Sequence, residues 1–362
     1  VKQCLALLIF SLIPSCVTNP PQDTDCLTVE VVAEVIKQLE KLIIAMTKDE
    51  TPAEVVSRSC RKEIYQRSGY EIIVYGTESP KGLETSGMIR RKEAPFNRQE
   101  CFSRSLALLE SLDDPIVERL MTRGKKYYND DWLDPDIGAV RWMGKCPSHD
   151  LSITTGNAAT LMHEFDHEST SEECVYQPHL DRDLCFSFSE KMPSARTARV
   201  PITSSAADLS AIMESFQDLY LGKDDSRNFF SILDELQAYA ITSHIYLTTF
   251  HKFGRNYFYK SDSSRRYAVL PQMLFYAGFY LAKFEAKHPD LYKSQITDHE
   301  TNRSNTCAVL TYASDTHKRW LRVIEKQDQR NDPFATVEQI WWKEYLSVEP
   351  RDLCKPFKGL KQ

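Results

Sequence analysis

The stretch Leu161-Met162-His163-Glu164-Phe165-Asp166-His167-Glu168 constrains this chain more than any other. On a helix, His163 and His167 stand one turn apart, so both imidazoles leave the same face and can grip one metal ion. Ala158, Ala159, Leu161, Met162 and Phe165 favour helix or pack well, Asn157 is a candidate N-cap, and no proline interrupts the run. Glu164 follows the first histidine and could take a proton from a bound water. The competing reading is an amphipathic helix whose charged face, with Asp166 and Glu168, happens to carry two histidines.

His163-Glu164-x-x-His167 resembles the active helix of the zincin metallopeptidases. The resemblance implies Zn2+ held by His163 and His167, Glu164 activating a zinc-bound water, and a peptide or protein substrate. A tetrahedral catalytic zinc takes a third protein ligand and leaves one position for water. In the gluzincin branch that ligand is a glutamate on a later helix, with alanine at short spacing. Glu235, in Asp234-Glu235-Leu236-Gln237-Ala238-Tyr239-Ala240, is similar to that arrangement. Tyr239, one turn on, shares its face and could donate a hydrogen bond to a developing oxyanion. Asp234 and Glu214 are reserve ligands, and the plainer reading of Glu235 is a glutamate paired to an arginine. A metzincin site would instead place its third ligand at Glu173, where Thr170 replaces the glycine of that pattern. His179 lies in the following loop and could approach the metal, although a surface histidine is the simpler reading.

The first residues read as an export signal. Lys2 precedes an apolar run from Cys4 to Ile13, and Ile13-Pro14-Ser15-Cys16 resembles a bacterial lipobox. The expected organisation is a lipoprotein-type signal over 1–16 and a tether over 17–26. A single domain follows over 27–362, with 136–362 carrying the metal site. The membrane is then reached through a lipid on Cys16, in the bacterial cell envelope. Ten cysteines less Cys4 and Cys16 leave eight, and an even count in an exported chain predicts disulfides. Cys174–Cys185 is the natural local pair. A net charge of −6 argues against nucleic acid as a partner.

Periodicity predicts an α+β fold, predominantly helical, and the resemblance implies a zincin-like arrangement with a small sheet next to the active helix. Helices are expected at about 27–47, 52–67, 98–112, 115–128, 206–221, 226–253, 266–288, 306–326 and 335–347. Strands are expected at 70–75 and at 138–143, the second as a zincin-like edge strand for substrate. Residues 76–97, 169–205 and 290–305 read as loops, and Cys354 as a staple for the tail. Two other functions fit parts of the pattern. Glu164-x-x-His167 and Glu285-x-x-His288, with Glu214 or Glu235, could form a di-iron carboxylate site. A non-catalytic surface lipoprotein with an accidental motif is the other.

Overall fold

The structure, a computed structural model, describes residues 60–67, 70–79, 82–90, 98–128, 151–168, 173–200, 214, 217–222, 227–253, 269–325 and 333–355. The chain divides into two compact units, residues 1–63 with 74–85 and residues 64–73 with 86–362. The expected signal, tether, first helix and edge strand at 138–143 lie outside the described residues.

Strands β1 (Cys60–Arg67), β2 (Tyr70–Ser79) and β3 (Gly82–Arg90) form a sheet in the order β1-β2-β3. The helix expected over 52–67 is therefore strand from residue 60, and the loop expected over 76–97 contains β3. Only Ile72-Ile73-Val74-Tyr75 announces a strand through its side chains. Its neighbours gain their conformation from backbone pairing, which leaves a weak trace in composition.

The second unit is helical. Helix α1 (Arg98–Ser111) is followed by α2 (Pro115–Tyr128), then by α3 (Leu151–Glu168), which carries the histidine pair. Pro115 starts α2 after Asp114, whose Oδ1 accepts the Ile116 and Val117 N–H groups at 2.9 and 3.1 Å. The stretch expected to be loop from 169 contains an antiparallel hairpin, β4 (Cys174–Gln177) and β5 (Arg182–Cys185). Cys174 lies opposite Cys185 in that ladder, and the two are disulfide-bonded as expected.

Helix α4 (Phe229–Phe253) organises the unit, meeting α3, strand β4 and two later helices, α5 (Val269–Lys287) and α7 (Glu300–Glu325). It is apolar nearly all round, from Ile232 and Leu233 to Ile245 and Leu247, as a helix covered on several sides must be. Phe229 stacks on Tyr280 of α5 with centroids 4.5 Å apart. The last helix, α8 (Pro333–Val348), lays Trp341 against Phe275 and Tyr276 of α5. Gly278 permits that contact, since a Cβ there would stand 3.2 Å from both Cγ2 and the carbonyl oxygen of Val348. Cys307–Cys354 ties the tail to α7, the expected staple.

The loop expected over 290–305 is helical instead. A short α6 (Pro289–Tyr292) runs into a π-helical turn (Lys293–Thr297), and α7 begins at Glu300. Its polar residues are used inside the fold. Gln295 and Asn302 accept the Ser189 and Ser187 N–H groups at 2.8 and 2.9 Å, and Asn305 donates to the Cys185 carbonyl at 2.7 Å. Among the described residues, no helix is long and apolar enough to cross a membrane, α5 included.

Candidate metal centre

His163 and His167 come from the last two turns of α3, and Glu235 comes from the second turn of α4, against which α3 packs. The Nε2 atoms of the histidines are 3.3 Å apart, and Glu235 Oε2 lies 3.7 Å from each. Two donors held about 2.0–2.1 Å from a tetrahedral zinc stand about 3.3–3.4 Å from each other. The three donor atoms therefore have nearly the spacing of one coordination shell. They can chelate one divalent cation, and the His/His/Glu set suits an ion such as zinc.

The outer nitrogens of the two rings are also engaged. His167 Nδ1 donates to Asp234 Oδ2 at 2.8 Å, a direction fixed because a carboxylate only accepts. His163 Nδ1 lies 3.2 Å from Thr242 Oγ1. With Nδ1 as the donor in each ring, both Nε2 lone pairs face the shared point, as a metal requires. Helix geometry explains the set: Glu235, Tyr239 and Thr242 recur at helical spacing on α4 and meet the same end of α3.

The electrostatics favour a cation. Burial alone would lower the His167 pKa, but the hydrogen bond to Asp234 and the nearby charges of Asp234 and Glu235 push it up to about 11. Glu235 is itself held from two sides, with Oε2 toward the histidines and Oε1 4.0 Å from Arg227 Nη1. The arginine pairing considered for Glu235 thus exists alongside the histidine contacts. Asp166 is not part of a solvated charged face. It is fully buried, and burial first, then the charge of Asp234, hold its pKa well above the usual carboxylate value.

Tyr239 sets its ring edge-on to His163 with centroids 4.5 Å apart, and its phenol shares a short hydrogen bond with the Tyr220 phenol. Glu164 is half-buried on α3 beside His163. Of the reserve ligands, Asp234 orients His167 through Nδ1, and Glu214 is exposed and outside the cluster. Glu173 is an exposed turn residue at φ 63°, and the exposed His179 stacks on Tyr312, so neither joins the triad. The di-iron arrangement is not formed. Glu285 and His288 are exposed at the end of α5, and His288 packs its ring by Phe284 instead.

Thr242, Arg227 and Tyr220 carry no mark in the sequence reading. Thr242 could have been found as the residue two turns beyond Glu235 on the same face of α4. Arg227 and Tyr220 precede that helix, and only the folded chain brings them to it. No family model, curated protein or solved structure matches this chain. What the centre can do is set by its own donors and their surroundings.

Proposed function

We propose that this protein is a zinc metallopeptidase. The observation that carries the reading is the donor geometry. Two Nε2 atoms and one carboxylate oxygen converge within 3.7 Å of one another, and the outer nitrogens of both rings are engaged by Asp234 and Thr242. His163, His167 and Glu235 would hold the ion. Bound there, zinc supplies Lewis acidity toward a water and a peptide carbonyl. Glu164, adjacent to the first ligand, takes the proton of the attacking water and passes it to the leaving amine. Tyr239 offers its phenol to the oxygen on which negative charge develops, with Tyr220 as its hydrogen-bond partner. Asp234 and Thr242 keep the two imidazoles in the ligating tautomer.

The same reading places the enzyme outside the cytoplasm, in a bacterial cell envelope, anchored by lipid on Cys16. The disulfides Cys174–Cys185 and Cys307–Cys354 support an oxidising compartment, and Cys101 is disulfide-bonded as well.

Glu164→Gln tests the assignment. A peptidase keeps its metal and loses turnover by about 10²–10⁴-fold, the usual share of a general base. Unchanged cleavage by the variant would remove Glu164 from the mechanism.

A further inference from the structure

A cation stands beside a centre built for a cation. Arg227 Nη1 lies 4.0 Å from Glu235 Oε1, on the carboxylate whose other oxygen faces the two histidines. At that distance the two groups attract as charges through space, without a hydrogen bond. Among the described residues, Arg227 is the one arginine or lysine paired with Glu235. A guanidinium there repels the ion that the triad would hold, so its presence needs a compensating effect.

The arginine is held at both ends. Its carbonyl accepts the Ala195 N–H at 2.8 Å, which ties its backbone to the 3₁₀ turn Ala195–Ala198. The next residue, Asn228, accepts the Ser231 N–H at 3.1 Å through Oδ1 and so caps α4. At the far end, Nη1 donates to the Tyr220 carbonyl at 3.3 Å. Tyr220 lies in a segment clamped by Arg199, whose Nη1 and Nη2 donate to the Gly222 carbonyl and Asp218 Oδ1 at 3.0 and 2.6 Å. The charge is therefore fixed in place, although the side chain is 36% exposed.

Glu235 has use for such a partner. Its side chain is only 19% exposed, and a carboxylate so buried is costly unless its oxygens are paired. Its two oxygens are chemically equivalent, so a carboxylate left to turn could present either one to the histidines. With Oε1 drawn to the guanidinium, Oε2 is the atom left 3.7 Å from each Nε2. Positioning and repulsion thus act on zinc affinity in opposite directions. Repulsion is screened by water at the exposed part of the guanidinium and offset by the carboxylate between. Losing a partner that orients a ligand usually costs about 10–100-fold in metal affinity, so positioning wins. We propose that Arg227 is a positioning residue for the metal centre, fixing Glu235 so that Oε2 alone faces the cation. The inference rests on reading the triad as a zinc site, and it does not need the peptidase activity.

Zinc affinity is measured by chelator competition at fixed pH and salt for the wild type, Arg227→Ala, Arg227→Gln and Arg227→Lys. Arg227→Ala should bind zinc roughly tenfold more weakly, the low end of that range because the ion pair is long. Arg227→Gln, which keeps a donor for the Tyr220 carbonyl but no charge, should match it. Arg227→Lys, which keeps the charge without the fork, should recover part of the loss. In a Glu235→Gln background, Arg227→Ala should cost nothing further, because the carboxylate it acts through is gone. An arginine with only a structural role would cost the same in both backgrounds. Unchanged or tighter binding by Arg227→Ala overturns the proposal, as does an equal loss in the two backgrounds. Should the alanine variant not fold, the glutamine and lysine variants decide, and equal affinity in those two overturns the proposal. A wild type that retains no zinc overturns the zinc reading and the inference with it. A zinc-bound wild type with an unaffected Arg227→Ala overturns the inference alone.

Discussion

Asp234 holds Nδ1 of His167 at 2.8 Å while its neighbour Glu235 faces Nε2 of the same ring at 3.7 Å. Adjacent residues on one helix thus fix both nitrogens of one imidazole. One carboxylate sets the tautomer, and the other completes the donor set.

That division of labour gives different outcomes at the two positions. Asp234→Ala should leave the three donors in place but weaken zinc affinity by about 10–100-fold, the usual effect of losing an outer partner. Glu235→Ala should abolish tight binding. Chelator competition at fixed pH checks both, and equal affinities in the two variants would contradict the assignment.

Tyr239→Phe should lower kcat by about 10²–10³-fold if the phenol meets the developing oxyanion, with zinc content unchanged. Tyr220→Phe should produce a smaller drop, because it removes a partner of that phenol rather than the phenol itself. Steady-state kinetics with metal analysis separates the two. A Tyr239→Phe enzyme with full kcat would take the residue out of the reaction.

His317 makes stability depend on pH. It is fully buried against Trp342, and burial pushes its pKa from 6.5 down to about 3. Between those values the unfolded chain binds the proton and the native one does not, so stability rises with pH across that window. The slope approaches roughly 1.4 kcal/mol per pH unit from this residue. Thermal melts of His317→Leu from pH 4 to 7 should show a flatter dependence than those of the wild type.

The Cys307–Cys354 and Cys174–Cys185 disulfides should fail differently. Replacing Cys307 and Cys354 by serine opens a span of 47 residues and should cost roughly 4 kcal/mol, with the metal centre intact. Replacing Cys174 and Cys185 opens 11 residues and costs roughly 3 kcal/mol. The second change should also weaken metal binding, because β4 is held to α4 through the Gln177–Gln237 amide pair near Glu235. Denaturant melts and zinc titrations of both variants check this.

The histidine pair was legible because four-residue spacing on an uninterrupted apolar run has one geometric meaning. Glu235 is legible only through the resemblance to the gluzincin pattern, in which a glutamate on a later helix is followed at short spacing by alanine, here Ala238 and Ala240. From sequence Asp234 is only a reserve ligand, because adjacency on a helix does not reveal which carboxylate reaches Nε2 and which reaches Nδ1. Asp166 belongs to a charged face only in the competing reading of the sequence, and the fold buries it. Asn302, Asn305 and Gln295 fall in an expected loop because their polarity suggests exposure, although they satisfy backbone groups at the end of β5 and just beyond it. Strands β1 and β3 show little apolar alternation in their sequence, so periodicity does not announce them.

The most direct measurement is the zinc content of the purified protein beside a His163→Ala, His167→Ala double variant, by mass spectrometry after zinc loading and desalting. About one zinc per chain in the wild type and none in the variant is the expected result. No retained metal in the wild type, or the same content in both, would contradict a metal centre built on these residues.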